Sequence, residues 1–181
     1  MPEPSHLASF EAMKLAAGVM LFSPYIPLLF MGDEYGEETP FLYFISHSDP
    51  GLVQAVRQGR QEEFKAFQWQ GEPPDPQDPE TFQRSKLNWE RRSQGQQKVL
   101  LDYYKTLIRL RQGLPAIKNL VRENLHVQAM EKGKLIFMHR FNDEDQVVCL
   151  CHFHDKPQTI ETDFPRGCFR KILDSADQKW M

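Results

Sequence analysis

Residues 26–36, IPLLFMGDEYG, decide how the rest of this chain is read. Ile26 to Met31 is a short, continuous apolar run that stops at Gly32. Unbroken rather than alternating hydrophobicity marks a strand covered on both faces, as in a parallel sheet. Asp33 and Glu34 follow at the strand's end, so the run predicts a buried strand that delivers carboxylates to a loop. A parallel strand needs parallel neighbours, and no second run of this kind follows for the next ninety residues.

On the N-terminal side, residues 5–22 predict a helix with Ser5 as cap and Leu7, Phe10, Met13, Ala17, Met20 and Leu21 at helical spacing. From Ala12 onward Lys14 is its one polar residue, so this helix must be buried on several sides. Ser23-Pro24-Tyr25 ends it. The stretch Leu15–Met31 is shorter than the roughly 20 residues a membrane span needs and contains Pro24 and Pro27, so no membrane association is expected.

On the C-terminal side, residues 50–67 predict a helix with Asp49 as cap and Pro50 at its first position. Residues 70–80 form a Pro/Asp loop. Residues 96–112 give the clearest amphipathic helix, with Leu100, Leu101, Tyr104, Leu107 and Ile108 in one stripe, stopped by Gly113 and Pro115. From about Val121 the period becomes two. Strands are expected at 125–130, 134–141 and 146–153, with weaker candidates at 157–164 and 168–173, which reads as an antiparallel meander of a small sandwich.

The whole is 181 residues with net charge −3 and 40% hydrophobic residues, as in an ordinary globular chain. Short basic groups are interleaved with acids, which argues against nucleic acid as a partner. Three cysteines and no signal-peptide pattern fit a cytoplasmic, reducing setting. Cys149-Leu150-Cys151-His152-Phe153-His154 suggests a metal site, but strand alternation sends Cys149 and Cys151 to one face and His152 and His154 to the other, so core cysteines and a mostly exposed histidine pair are expected and no metal or cofactor is assigned.

The order of elements, with PLLFMGDEYG at 27–36 and YYKTLIRLRQGLPAI at 103–117, resembles the end of the α-amylase-type glycoside hydrolases. Residues 11–49, DPQDPETFQRSKLNW at 75–89 and ILDSADQKW at 172–180 narrow the resemblance to the trehalohydrolase branch that acts on malto-oligosyltrehalose. It covers essentially the whole chain. The resemblance implies the last strand and helices of a (β/α)8 TIM barrel over residues 1–120, followed by a partial antiparallel β-sandwich over 121–181. It also implies a retaining hydrolase with a maltodextrin-type partner ending in trehalose, whose nucleophile, acid/base and third aspartate would lie before Met1. A full barrel takes roughly 250 residues, so no catalytic residue is assigned within the chain and the chain alone is expected to be inactive.

Candidate substrate contacts are Glu34 and Tyr35 beside Asp33 on the loop, and Arg84, Lys86 and Trp89 in the TFQRSKLNW stretch. Cations donate to sugar hydroxyls and a Trp stacks on a sugar's apolar face. A structural alternative stands beside this: loop carboxylates that support neighbouring loops, a Trp packed under the loop, and cations paired with its aspartates. A second functional reading is a stand-alone carbohydrate-binding or accessory module, which would cover the apolar surface of 12–31 by self-association.

Overall fold

The computed structural model describes residues 8–66, 72–119, 121–159, 161 and 164–181. Helix α1 spans Phe10–Phe22. Its cap is Ser9, whose hydroxyl accepts from the Ala12 N–H at 3.2 Å; Ser5, the expected cap, lies outside the described residues. The expected burial on several sides is met, because α1 packs against both α4 (Gly95–Gly113) and β3 (Gln146–His152).

Between them, α2 (Pro50–Ala66) begins with Asp49 accepting from the Gly51 and Leu52 N–H groups. A two-pronged Arg57–Asp75 pair ties α2 to the Pro/Asp loop. That loop ends two residues earlier than expected, since Asp78 caps a short helix α3, Pro79–Gln83, with Pro79 where a missing N–H costs nothing. Helix α4 stops at Gly113 and Pro115 restarts a single turn, α5 (Pro115–Lys118). Its buried residues are Leu100, Tyr103 and Tyr104. Tyr103 was outside the expected stripe and is covered because Trp180 folds back onto it, ring centroids 5.1 Å apart.

Strands β1 (Leu125–Met130), β2 (Leu135–Phe141) and β3 form an antiparallel sheet in the order β1-β2-β3, as the alternation predicts. One face of β2 joins Phe22, Ile117, Met138 and Cys151 in a core shared with α1 and α5. Leu135 and Phe137 are buried on the other face, where Phe164 meets Phe137 and Phe169 meets Phe164. So a second layer exists, but the described residues form no second sheet. The strand expected at 168–173 is irregular, and part of 157–164 lies outside the described residues.

The strand expected at 26–31 needs a larger correction. This segment carries no regular secondary structure, and its Ile26 and Leu28 side chains are 84% and 88% exposed. A strand is stabilised by ladder partners, and no described residue pairs with this one.

Lys14, the one polar residue of α1 after its first turn, is fully buried. Its ammonium donates to the Ser175 and Trp180 carbonyls at 2.7 and 2.8 Å and pairs with Glu11 at 2.7 Å. It thereby anchors the last residues onto the core of Ala17, Leu21, Leu100, Tyr103, Tyr104 and Trp180. Lys14→Met keeps the apolar stem and loses all three contacts. A stability loss of about 2 kcal/mol is expected, read as a lower urea midpoint together with solvent exposure of Trp180 fluorescence. Among the described residues, no helix is long and apolar enough to cross a membrane.

Candidate functional site

The acidic loop is a single 3₁₀ turn, Asp33–Tyr35, held between two left-handed glycines. Gly32 has φ +88°, and a Cβ there would lie 2.5 Å from the Glu37 Cβ, so the position tolerates no side chain. Asp33 accepts the Phe30 N–H at 2.9 Å, closing the turn on itself.

Two residues on, Glu37 is 2% exposed, and its carboxylate accepts from both the loop and the 81–89 stretch. The Tyr35 hydroxyl and the Asn88 N–H donate to Oε2 at 2.8 and 2.7 Å, and the Glu38 and Thr39 N–H groups donate to Oε1 at 2.9 Å each. Burial by itself would raise this carboxyl's pKa. The N–H of Thr39, the hydroxyl of Tyr35 and the N–H of Asn88 outweigh it and hold the pKa below the usual carboxylate range. Glu37 therefore serves as an ionised acceptor and not as a general acid. Burial, reinforced by Glu37, pushes the Tyr35 hydroxyl well above its ordinary value. Glu38 pairs with Arg91 and accepts from the Gln97 side chain at 3.1 Å.

Through Asn88, Glu37 sews the 81–89 stretch to the acidic loop. Trp89 is thereby set beside Tyr35, ring centroids 6.2 Å apart, yet remains 54% exposed, with the Arg92 guanidinium 5.3 Å from its ring. Ser85 exchanges hydrogen bonds with both backbone groups of Leu42, which fixes the other end of the stretch.

The sequence-predicted residues thus separate. Trp89 is on the surface rather than under the loop, and Glu34 is half-buried, with no described hydrogen bond to its carboxylate. Tyr35 is fully buried, and its hydroxyl is drawn inward by Glu37. Arg84 and Lys86 are exposed, and neither pairs with the loop aspartates. Asp75 takes Arg57 instead, and the Lys86 ammonium sits 4.9 Å from the Phe82 ring. Phe82 in turn ends an aromatic row, with Phe30, Phe41, Phe44 and Phe82 in successive contact at centroid distances of 5.1, 6.0 and 5.0 Å.

Glu37, one of the four acids at 33, 34, 37 and 38, acts as the loop support of the structural alternative, with Asn88 as its partner in the 81–89 stretch. The Glu37-Glu38 and Arg91-Arg92 doublets look alike to a reader who lacks the fold, and only the loop's path tells one member from the other. What the surface can do chemically is accept and donate hydrogen bonds through Glu34, Arg84 and Lys86 and stack a ring on Trp89. Asp33 turns one carboxylate oxygen back onto its own backbone, accepting the Phe30 N–H. Among the described residues, no group of three His, Cys, Asp or Glu is placed to hold a metal. The histidine pair departs from expectation, because His152 and His154 are half-buried, with rings stacked at 6.3 Å.

No protein-family model matches the chain. Among curated proteins, malto-oligosyltrehalose trehalohydrolases from Rhizobium sp. (strain M-11) and Mycobacterium tuberculosis are 46% and 35% identical to it, over 84% and 87% of its length. That from Saccharolobus solfataricus is 43% identical over 70%. The chain covers 25%, 27% and 21% of these three relatives, so it spans about a quarter of the proteins it matches. A crystal structure described as an α-amylase from Salmonella typhimurium superposes with a TM-score of 0.74 at 35% identity, covering 88% of this chain and 27% of that one. The resemblance read from the sequence is thus to malto-oligosyltrehalose trehalohydrolases, carried by one portion of such an enzyme.

Proposed function

We propose that this chain is the C-terminal portion of a cytoplasmic glycoside hydrolase that cuts the α-1,4 bond next to the trehalose unit of malto-oligosyltrehalose, releasing trehalose. The observation that carries the reading is 46% identity to a trehalohydrolase over 84% of the chain. In this reading residues 1–120 contribute the closing elements of a (β/α)8 barrel and residues 121–181 a partial β-domain. The bare apolar segment 26–31 then becomes a barrel strand when the preceding strands are present. The 84% and 88% exposed side chains of Ile26 and Leu28 support that, since a strand built for two-sided burial is the kind of segment such exposure leaves unsatisfied.

The catalytic carboxylates belong to the preceding barrel strands, so the chain alone hydrolyses nothing. The surface of Glu34, Arg84, Lys86 and Trp89 contributes substrate contacts, with Tyr35 acting from beneath by fixing Trp89. A carbohydrate-binding module is the alternative, favoured by the exposed Trp89 and its Arg92 partner. Incubating the purified chain with malto-oligosyltrehalose separates the readings. The expected outcome is no free trehalose and an associating chain, whereas a monomer that binds maltodextrin favours the module, and clear turnover overturns both. In a complete enzyme carrying this segment, Arg84→Ala is expected to raise KM about tenfold, the equivalent of one charge-assisted hydrogen bond. Unchanged kcat and KM remove Arg84 from the site.

A further inference from the structure

The core cysteines carry more than packing. Cys149 and Cys151 lie two residues apart on β3, so both side chains leave the same face of the strand. Their sulfurs are 3.5 Å apart, close enough to share a proton. Cys151 is 2% exposed, while Cys149 is half-buried on a strand at the sheet's edge, which gives a small reagent a way in. Met138 is the cross-strand partner of Cys149, and Ile136 that of Cys151, so the surroundings are apolar.

The geometry points to a two-thiol capture site, formed by Cys149 and Cys151, for a monosubstituted trivalent arsenical. A bond from thiolate sulfur to a soft element of this size is about 2.3 Å. Two such bonds from one atom reach sulfurs 3.5 Å apart at an angle of about 99°. That angle suits a pyramidal trivalent centre. A linear two-sulfur ion would need the sulfurs about 4.6 Å apart, and tetrahedral zinc needs two further ligands that the described residues do not supply.

The reaction balances without an oxidant. An arsonous acid R–As(OH)2 and two thiols give R–As(S–Cys)2 and two waters: two As–O and two S–H bonds break, two As–S and two O–H bonds form, and arsenic stays trivalent. The product is neutral, so seating it in an apolar face leaves no unpaired charge. A disulfide is the poorer use of the same pair. Residues two apart on a strand have Cα atoms about 6.6 Å apart, at the long limit for a disulfide, and closing the sulfurs would bend β3.

The test titrates the reduced full chain with phenylarsine oxide and reads intact mass. One phenylarsenic unit per chain is expected, with two hydrogens lost, reversed by excess 1,2-ethanedithiol and retained in Cys168→Ser. Cys149→Ser and Cys151→Ser should each lose the labelling that, in the wild type, resists a monothiol at least tenfold above the protein. Circular dichroism on both variants, with Cys149→Ala as the second substitution at the more exposed position, separates lost chelation from lost folding. Absence of the adduct in the folded wild type, or an adduct kept by folded Cys149→Ser and lost in Cys168→Ser, overturns the proposal.

Discussion

Glu37→Ala is expected to remove about 4 kcal/mol of stability, because it strips the partner from the Tyr35 hydroxyl and from the Glu38, Thr39 and Asn88 N–H groups at once. Each hydrogen bond to a charged acceptor contributes about 1.5–3 kcal/mol, and a buried donor left unpaired costs about 1–3. Water entering the space left by the carboxylate recovers part of this, since three of the four donors are only partly buried. The loss should be local as well as global. Hydrogen exchange at the Thr39 and Asn88 amides should rise beyond what the change in overall stability accounts for, because Glu37 is what joins the acidic loop to the 81–89 stretch. Glu37→Gln retains an acceptor oxygen but turns an amide toward donors, and it should fall between wild type and Ala. The same residue gives the wild-type chain an acid limit. Its folded pKa lies below the unfolded value, so its stabilisation is complete above the unfolded pKa of about 4.3 and is lost as pH falls through the folded one. Urea midpoints of the wild type should therefore drop below about pH 4, and Glu37→Gln should flatten that drop. Equal acid sensitivity in the two proteins would show that Glu37 is not the group responsible.

This residue also shows where sequence reading stops. Helix α4 and strands β1 to β3 were legible because each carries its own period: every residue's neighbours along the element are also its neighbours in sequence, and apolar spacing alone reports the buried face. Segment 26–31 was not, since its pattern describes a strand whose partners the described residues do not provide. Lys14 was singled out only as an interruption of an apolar helix. Its partners, Ser175 and Trp180, lie 161 and 166 residues away, and no local signal encodes a pairing across that distance. At the candidate site, the exposed Trp89 could be picked out by residue type. The inward turn of Tyr35 could not, because it depends on Glu37 being the member of its doublet that the Gly32 turn directs inward.

The largest penalty of all is expected at the C-terminal end of α1, where two arginines do the work of a cap. Arg111 donates to the carbonyls of Leu21, Ser23 (2.8 Å) and Tyr25 (2.6 Å). Arg140, 1% exposed on β2, donates to those of Phe22 (3.1 Å), Ser23 (3.4 Å) and Asn119. The Leu21, Phe22 and Ser23 carbonyls are those that the end of α1 leaves without partners, and the negative end of the helix dipole favours cations there. Neither guanidinium has a carboxylate partner among the described ion pairs. Burial pulls the pKa of each below the usual arginine value, and for Arg140 the nearby charge of Arg111 adds to it. Arg140→Ala removes the donors and leaves a cavity beside Phe22, for an expected loss of about 4 kcal/mol; Arg140→Lys, one point charge in place of a planar fork, should lose about 2 kcal/mol. Arg111→Ala should cost less, because the repulsion on Arg140 is relieved and Arg140 can tighten its long contact to Ser23. The two residues cover for one another at that shared carbonyl, so the double variant should lose more than the sum of the singles, by about 0.5–1 kcal/mol. Denaturant midpoints for the four proteins of this cycle measure the difference. Strict additivity would mean that the two arginines cap α1 independently, and a double loss smaller than the sum would mean that each arginine depends on the other to hold its contacts, which overturns the reading that they cover for one another.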